Sequence, residues 1–184
     1  TLSLHDALPI CKYLPCFGKK QELLKNLSKD IIYDLGSSVP QYGGTTNLLY
    51  NQITNRVEKQ FMSLSGTVRN CAGGVTPWGT WISCEESVVR RGNGNLKNHG
   101  YNFEVLAADK PFSSNSVPLK AMGRFNHEAV GFDLHGNAYQ TEDREDGIFY
   151  KFIPKVRGDL SKGKLQGLAL MDKNIKDSRN WKDQ

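Results

Sequence analysis

Between residues 100 and 154 the chain repeats one pattern: a short run that alternates aromatic or apolar with polar residues, then a turn. GYNFEVLA (100–107), EAVGFDL (128–134), NAYQTED (137–143) and IFYKFIP (148–154) each have the length of a strand. His135-Gly136-Asn137 and Glu145-Asp146-Gly147 between them have the composition of hairpin turns. Strands this short, with turns this tight and little helical periodicity, point to an all-β fold. Four such strands in succession make a propeller blade. At 184 residues the chain holds about two or three blades, whereas a closed propeller uses about four to eight.

Upstream, residues 70–86 read NCAGGVTPWGTWISCEE, with two cysteines, two adjacent carboxylates and two tryptophans. The run 61–70 leads in as a strand. Gly73-Gly74 and Pro77 break the pattern, as a tight turn requires. Residues 80–86 then read as the returning strand. Alternation puts Ile82, Cys84 and Glu86 on one face and Trp81, Ser83 and Glu85 on the other. Asn70 and Cys71 thus fall at one strand end, and Glu85-Glu86 at the next. Thiolate beside carboxylate suggests a mixed metal site, because carboxylates suit hard ions such as Ca²⁺ and thiolates suit iron or zinc.

These residues resemble the signature of the PhoX-type bacterial alkaline phosphatases. Gly43-Gly44-Thr45-Thr46, Gly123-Arg124-Phe125-Asn126-His127-Glu128 and Thr141-Glu142-Asp143 fit the same pattern, so the resemblance runs from about residue 36 to residue 154. It implies a β-propeller with a metal site near its axis, combining Fe³⁺ and Ca²⁺, and a bridging oxygen as nucleophile. Carried over residue by residue, it makes Cys71 an iron ligand, Glu86 and Glu128 metal ligands, and Asn70 the contact to phosphate. The implied substrates are small phosphate esters, monoesters first and diesters second. The implied location is the periplasm or outside the cell. Family members are much longer, and their later half supplies further ligands. The expectation is therefore half a site, in a piece inactive by itself.

The residues alone also allow plainer roles. Cys71 reads as a small buried hydrophobe and Cys84 as core or a disulfide partner; a Cys71–Cys84 bridge would compete with metal binding. Glu85 points away from Glu86 and reads as solvated or salt-bridged. His127, opposite in face to Glu128, reads as structural. Arg124 reads as a phosphate clamp or a salt bridge, Trp78 and Trp81 as core, and Glu142 and Asp143 as calcium ligands or turn caps. Several carboxylates converging on one axis repel one another, which favours a cation among them.

Other features bound the possibilities. The net charge is +5, concentrated in residues 11–29 and 151–182, and reads as solvated surface. No nucleic-acid motif accompanies it. No run is long or apolar enough to span a membrane. Cys11, Cys16, Cys71 and Cys84 lack zinc-knuckle spacing. The chain begins with Thr and reads as a fragment. Residues 1–35 read as an N-terminal arm, and residues 36–184 as a partial propeller domain. TLSLHDALPI at the start fits either foreign sequence or an ordinary variable arm. Leucine and isoleucine spacing over 19–35 allows a short amphipathic helix. Residues 36–44 read as a loop, 47–50 and 56–64 as strands, 90–99 as a surface loop and 165–171 as a last strand. Two rival functions remain. One is a non-catalytic, calcium-stabilised propeller that binds a partner. The other is a calcium lactonase, which would have no use for a thiolate at Cys71.

Overall fold

A computed structural model describes residues 2–6, 27–37, 41–110 and 116–171. Strands β1 (Leu2–Asp6), β2 (Gly43–Asn51) and β3 (Arg56–Thr67) form an antiparallel sheet in that order. The other strands are β4 (Asn70–Val75), β5 (Thr80–Glu85), β6 (Asn102–Leu106), β7 (His127–Phe132), β8 (Ala138–Glu142), β9 (Tyr150–Val156) and β10 (Asp159–Gly167). They make a seven-stranded sheet in the order β10-β9-β8-β7-β4-β5-β6.

That order is two meanders placed back to back. β7 to β10 are antiparallel neighbours in sequence order, and so are β4 to β6. The first strand of each meander lies beside the other's, parallel, through one bridge between Gly73 and Ala129. A lone bridge from Phe103 to Pro118 adds a short segment outside β6. A four-stranded unit and a three-stranded one, whose first strands run side by side in the same direction, are arranged as neighbouring propeller blades are. The fold is all-β, as the strand rhythm implies.

Burial explains why the β4–β6 unit reads so apolar. On one face Ile82 and Cys84 join Leu119, Met122, Val130, Ala138, Phe152 and Leu160 in a core shared with β7–β10. On the other face Phe103 and Val105 join Tyr33, Leu64 and Tyr101 against β3. Each fully buried large side chain stabilises by about 1.5–3 kcal/mol relative to exposure. A unit covered on both faces has little solvent-facing alternation left, so Ser83 and Glu85 are as buried as Ile82 and Cys84.

Three expectations need correction. Gly73-Gly74 is not the turn; both residues lie inside β4. A Cβ on Gly73 would sit 2.0 Å from the Ile82 carbonyl oxygen, and one on Gly74 1.9 Å from that of Val130. The glycines let β4 fit between β5 and β7, and the turn comes at Thr76–Gly79, closed by the Gly79 N–H donating to the Thr76 carbonyl at 3.1 Å. The helix over 19–35 is also absent where its second half is described. Instead, Ser28 caps a single 3-10 turn, Lys29–Ile31, and Ile32 bridges to Ser65 of β3. Ile31, Ile32, Tyr33 and Asp34 are buried in succession, which no single helix face can do. Residues 19–26 lie outside the described residues. The final strand starts earlier than the apolar run 165–171, because β10 pairs with β9 from Asp159 onward after a turn at Gly158, φ 87°. The backbone of Leu2–Asp6 lies along β2. Among the described residues no helix is long and apolar enough to cross a membrane.

Candidate active site

Topology gathers the predicted residues at one rim. β4 and β7 are parallel, so their first residues lie at the same end of the sheet. The antiparallel partners β5 and β8 bring their last residues to that end: Asn70 faces Glu85, and His127 faces Glu142. Asn70 and Cys71 open β4, Glu86 follows β5, Glu128 is the second residue of β7, and Asp143 follows β8. Five side chains from four strands therefore share one edge, although the outermost are more than seventy positions apart.

The electrostatics register this convergence. Burial pushes the Cys71 thiol up, and the charges of Glu86, Glu128 and Asp143 push it further; an N–H from Ala72 offsets part of this. Glu86 is held above the usual carboxylate range, first by its hydrogen bond with Asp143 and then by burial, with Arg69 opposing. The Arg69 guanidinium lies 3.1 Å from Glu86, and its own backbone carbonyl accepts the Glu86 N–H at 2.9 Å. Arg69 is half exposed, so the pair contributes about 0–1 kcal/mol and leaves the rim acidic. A thiol with three carboxylates raising its pKa is a donor set that a cation would stabilise, since a positive charge removes the repulsion. Among the described residues, no three His, Cys, Asp or Glu side chains are already drawn into a closed ligand shell.

Asn70 is held from two sides. Its Oδ1 accepts from Thr67 Oγ1 at 2.6 Å and its Nδ2 donates to Ser83 Oγ at 2.7 Å, all buried. One Nδ2 proton is left for another acceptor. Gly43 of the distant Gly-Gly-Thr-Thr motif backs onto this amide: a Cβ there would lie 2.3 Å from Asn70 Oδ1. Two segments that match the family pattern thus meet at one side chain.

The neighbouring residues sort themselves by contact. Arg124 donates to the carbonyls of Val88 and Val89, at 2.6 and 3.2 Å, and forms no salt bridge among the described residues. His127 is buried between Phe125 and its own strand, and burial lowers its pKa to about 4, so it is neutral at physiological pH. Its Nε2 lies 3.3 Å from the Gly123 carbonyl, and its buried Nδ1 has no hydrogen-bond partner among the described residues. Trp78 packs on the main core and donates to Glu104 at 2.6 Å. Trp81 is half-buried. Glu142 accepts from Tyr150 Oη and the Ile148 N–H, both at 3.2 Å, so it caps its own turn.

Glu85 is the residue that the strand pattern misplaces. It is fully buried, not solvated, and pairs with His99, whose other nitrogen meets Asp34. No periodicity links positions 34, 85 and 99. The available signal was the pair of carboxylates at a strand end, of which only one can reach solvent.

A profile of the family described as "Alkaline phosphatase PhoX" matches residues 44–182. No curated protein matches. Among solved structures the chain is similar to "Pseudomonas fluorescens PhoX in complex with vanadate, a transition state analogue", at 24% identity and a TM-score of 0.42. The match covers 61% of this chain and 28% of that one, so the chain spans less than a third of that structure's length.

Proposed function

This chain belongs to the PhoX alkaline phosphatase family, and on that premise we propose that it forms part of a metal-dependent hydrolase of small phosphate monoesters, with diesters as a second class. What supports the reading is the shared rim of Cys71, Glu86 and Glu128, where mutual repulsion calls for cations. In it, the Cys71 thiolate holds ferric iron, and Glu86 and Glu128 supply oxygen ligands to iron and calcium. Bound there, the metals would supply Lewis-acid polarisation of the phosphoryl group and offset its charge.

The chain's own residues do the positioning. Asn70 turns its remaining N–H to a phosphate oxygen, and its bonds to Thr67 and Ser83 fix the amide before substrate arrives. Arg69, half exposed at the same corner, keeps Glu86 from swinging out to solvent. On this reading the 184 residues supply only part of the site and turn over little substrate by themselves. The reading also puts the protein in the periplasm or outside the cell, which fractionation tests.

The test is elemental analysis and p-nitrophenyl phosphate hydrolysis by the active protein that contains this chain, wild type against Cys71→Ala. Joint loss of iron and turnover is expected. A Cys71→Ala protein that keeps its iron and its rate would overturn the assignment.

A further inference from the structure

His99 is completely buried, and both of its ring nitrogens face carboxylates: Nδ1 lies 2.7 Å from Glu85 Oε1 and Nε2 lies 3.1 Å from Asp34 Oδ2. Those carboxylates are already acceptors for the backbone. Glu85 takes the N–H groups of Val68 (2.9 Å), Gly100 (2.8 Å) and Tyr101 (3.2 Å). Asp34 takes those of Gly36 (2.8 Å), Leu96 (3.0 Å) and Lys97 (2.9 Å). Against burial, the N–H groups of Gly36 and Lys97 and the His99 ring hold the Asp34 carboxyl below the usual carboxylate range. A neutral imidazole has one N–H and can serve only one of them; the cation serves both.

We propose that His99 is a positioning residue for the rim, a buried imidazolium that clamps Asp34 to Glu85 and thereby fixes the corner carrying Glu86. The mechanical link is short. Glu85 Oε1 holds the Val68 N–H, the next residue Arg69 accepts the Glu86 N–H, and the Arg69 guanidinium holds the Glu86 carboxylate. If the Glu85 carboxylate turns off Val68, both the strand end and the partner of Glu86 come loose. The Glu86 half of this inference rests on the metal-site reading; the state of the ring does not.

Burial pushes the His99 pKa down, but the hydrogen bond and charge of Glu85, and then those of Asp34, outweigh it and hold it above the ordinary value. The other groups facing this pocket are the Tyr33 ring, edge-on at 5.3 Å, and Lys97, 4.7 Å above that ring. Tyr101 and Arg124 act on the same Tyr33. A histidine whose folded pKa is raised stabilises fully below about 6.5, and the contribution is lost as pH rises through the folded value.

Nitrogen-15 NMR of the ring in the 184-residue chain is expected to show protons on both His99 nitrogens at pH 7.5. The melting temperature should fall between neutral and alkaline pH, and His99→Gln should flatten that fall. His99→Gln should also weaken calcium binding about 10–100-fold, the usual cost of losing a residue that orients a ligand. Leu160→Ala, which loosens the core alone, should bind calcium like wild type. A singly protonated ring, or His99→Gln with wild-type calcium affinity while Glu86→Gln is weakened, would overturn the proposal. Wild-type affinity in Glu86→Gln would sink the metal-site reading instead, and the ring protons and the pH profile would still decide the clamp.

Discussion

Cys71 stands directly opposite Cys84 in the β4–β5 ladder, yet only Cys71 is reachable from solvent. Burial raises the pKa of both thiols, and three carboxylates raise that of Cys71 further. The thiolate is the reactive form. Iodoacetamide should therefore modify Cys71 in the folded chain, slowly at pH 7 and faster as pH rises. Cys84 should react only after unfolding. Peptide mapping by mass spectrometry after timed pulses checks both. A bound cation should protect Cys71, since it removes the free thiol altogether.

The two glycines inside β4 make the next test. Gly74→Ala would place a methyl 1.9 Å from the Val130 carbonyl, so β4 and β7 must separate. Forced overpacking of this kind costs about 1–3 kcal/mol. Gly131→Ala, where a Cβ meets nothing within 4 Å, should change stability by no more than about 0.5 kcal/mol. Urea denaturation of the two variants separates a close approach of strands from an ordinary strand glycine.

This contrast also shows what the sequence could reveal. Strand rhythm located β6 to β9 within a few residues, because turns with Gly and Asp punctuate them. Gly73-Gly74 looked like a turn because a close approach of strands selects the same residue as a turn does, and only the Ile82 and Val130 carbonyls tell the two apart. The family pattern groups Cys71, Glu86 and Glu128, and the strand order brings their positions to one end of the sheet. Glu85 was not, because alternation assigns one face to solvent, and in this fold both faces of β5 are covered. Asp34 and His99 were hidden for a simpler reason: their partnership spans 65 positions and obeys no period.

Asn70 carries a stability prediction as well as a functional one. Asn70→Ala strips Thr67 and Ser83 of their partner in a buried setting, which costs about 1–3 kcal/mol. A residue serving phosphate alone would leave stability unchanged. Thermal melts of the substrate-free chain make the distinction: a wild-type melting temperature for Asn70→Ala would show that the amide is not a structural tie.

The acidic rim should make one substitution act in opposite directions under two conditions. Without metal, and at a pH high enough to ionise Cys71, Glu128 adds negative charge beside that thiolate. Glu128→Gln relieves that repulsion and should stabilise the metal-free chain by about 0.2–1 kcal/mol, less at high salt. With calcium the sign reverses. A ligand that binds only the folded state stabilises it by about 2.7 kcal/mol at a hundred times its dissociation constant, and Glu128→Gln should forfeit most of that gain. Melts in a chelator and in millimolar calcium, wild type against variant, read both signs. A variant less stable in chelator, or one that keeps the full calcium-induced rise, would show that the carboxylate plays no part in holding a cation.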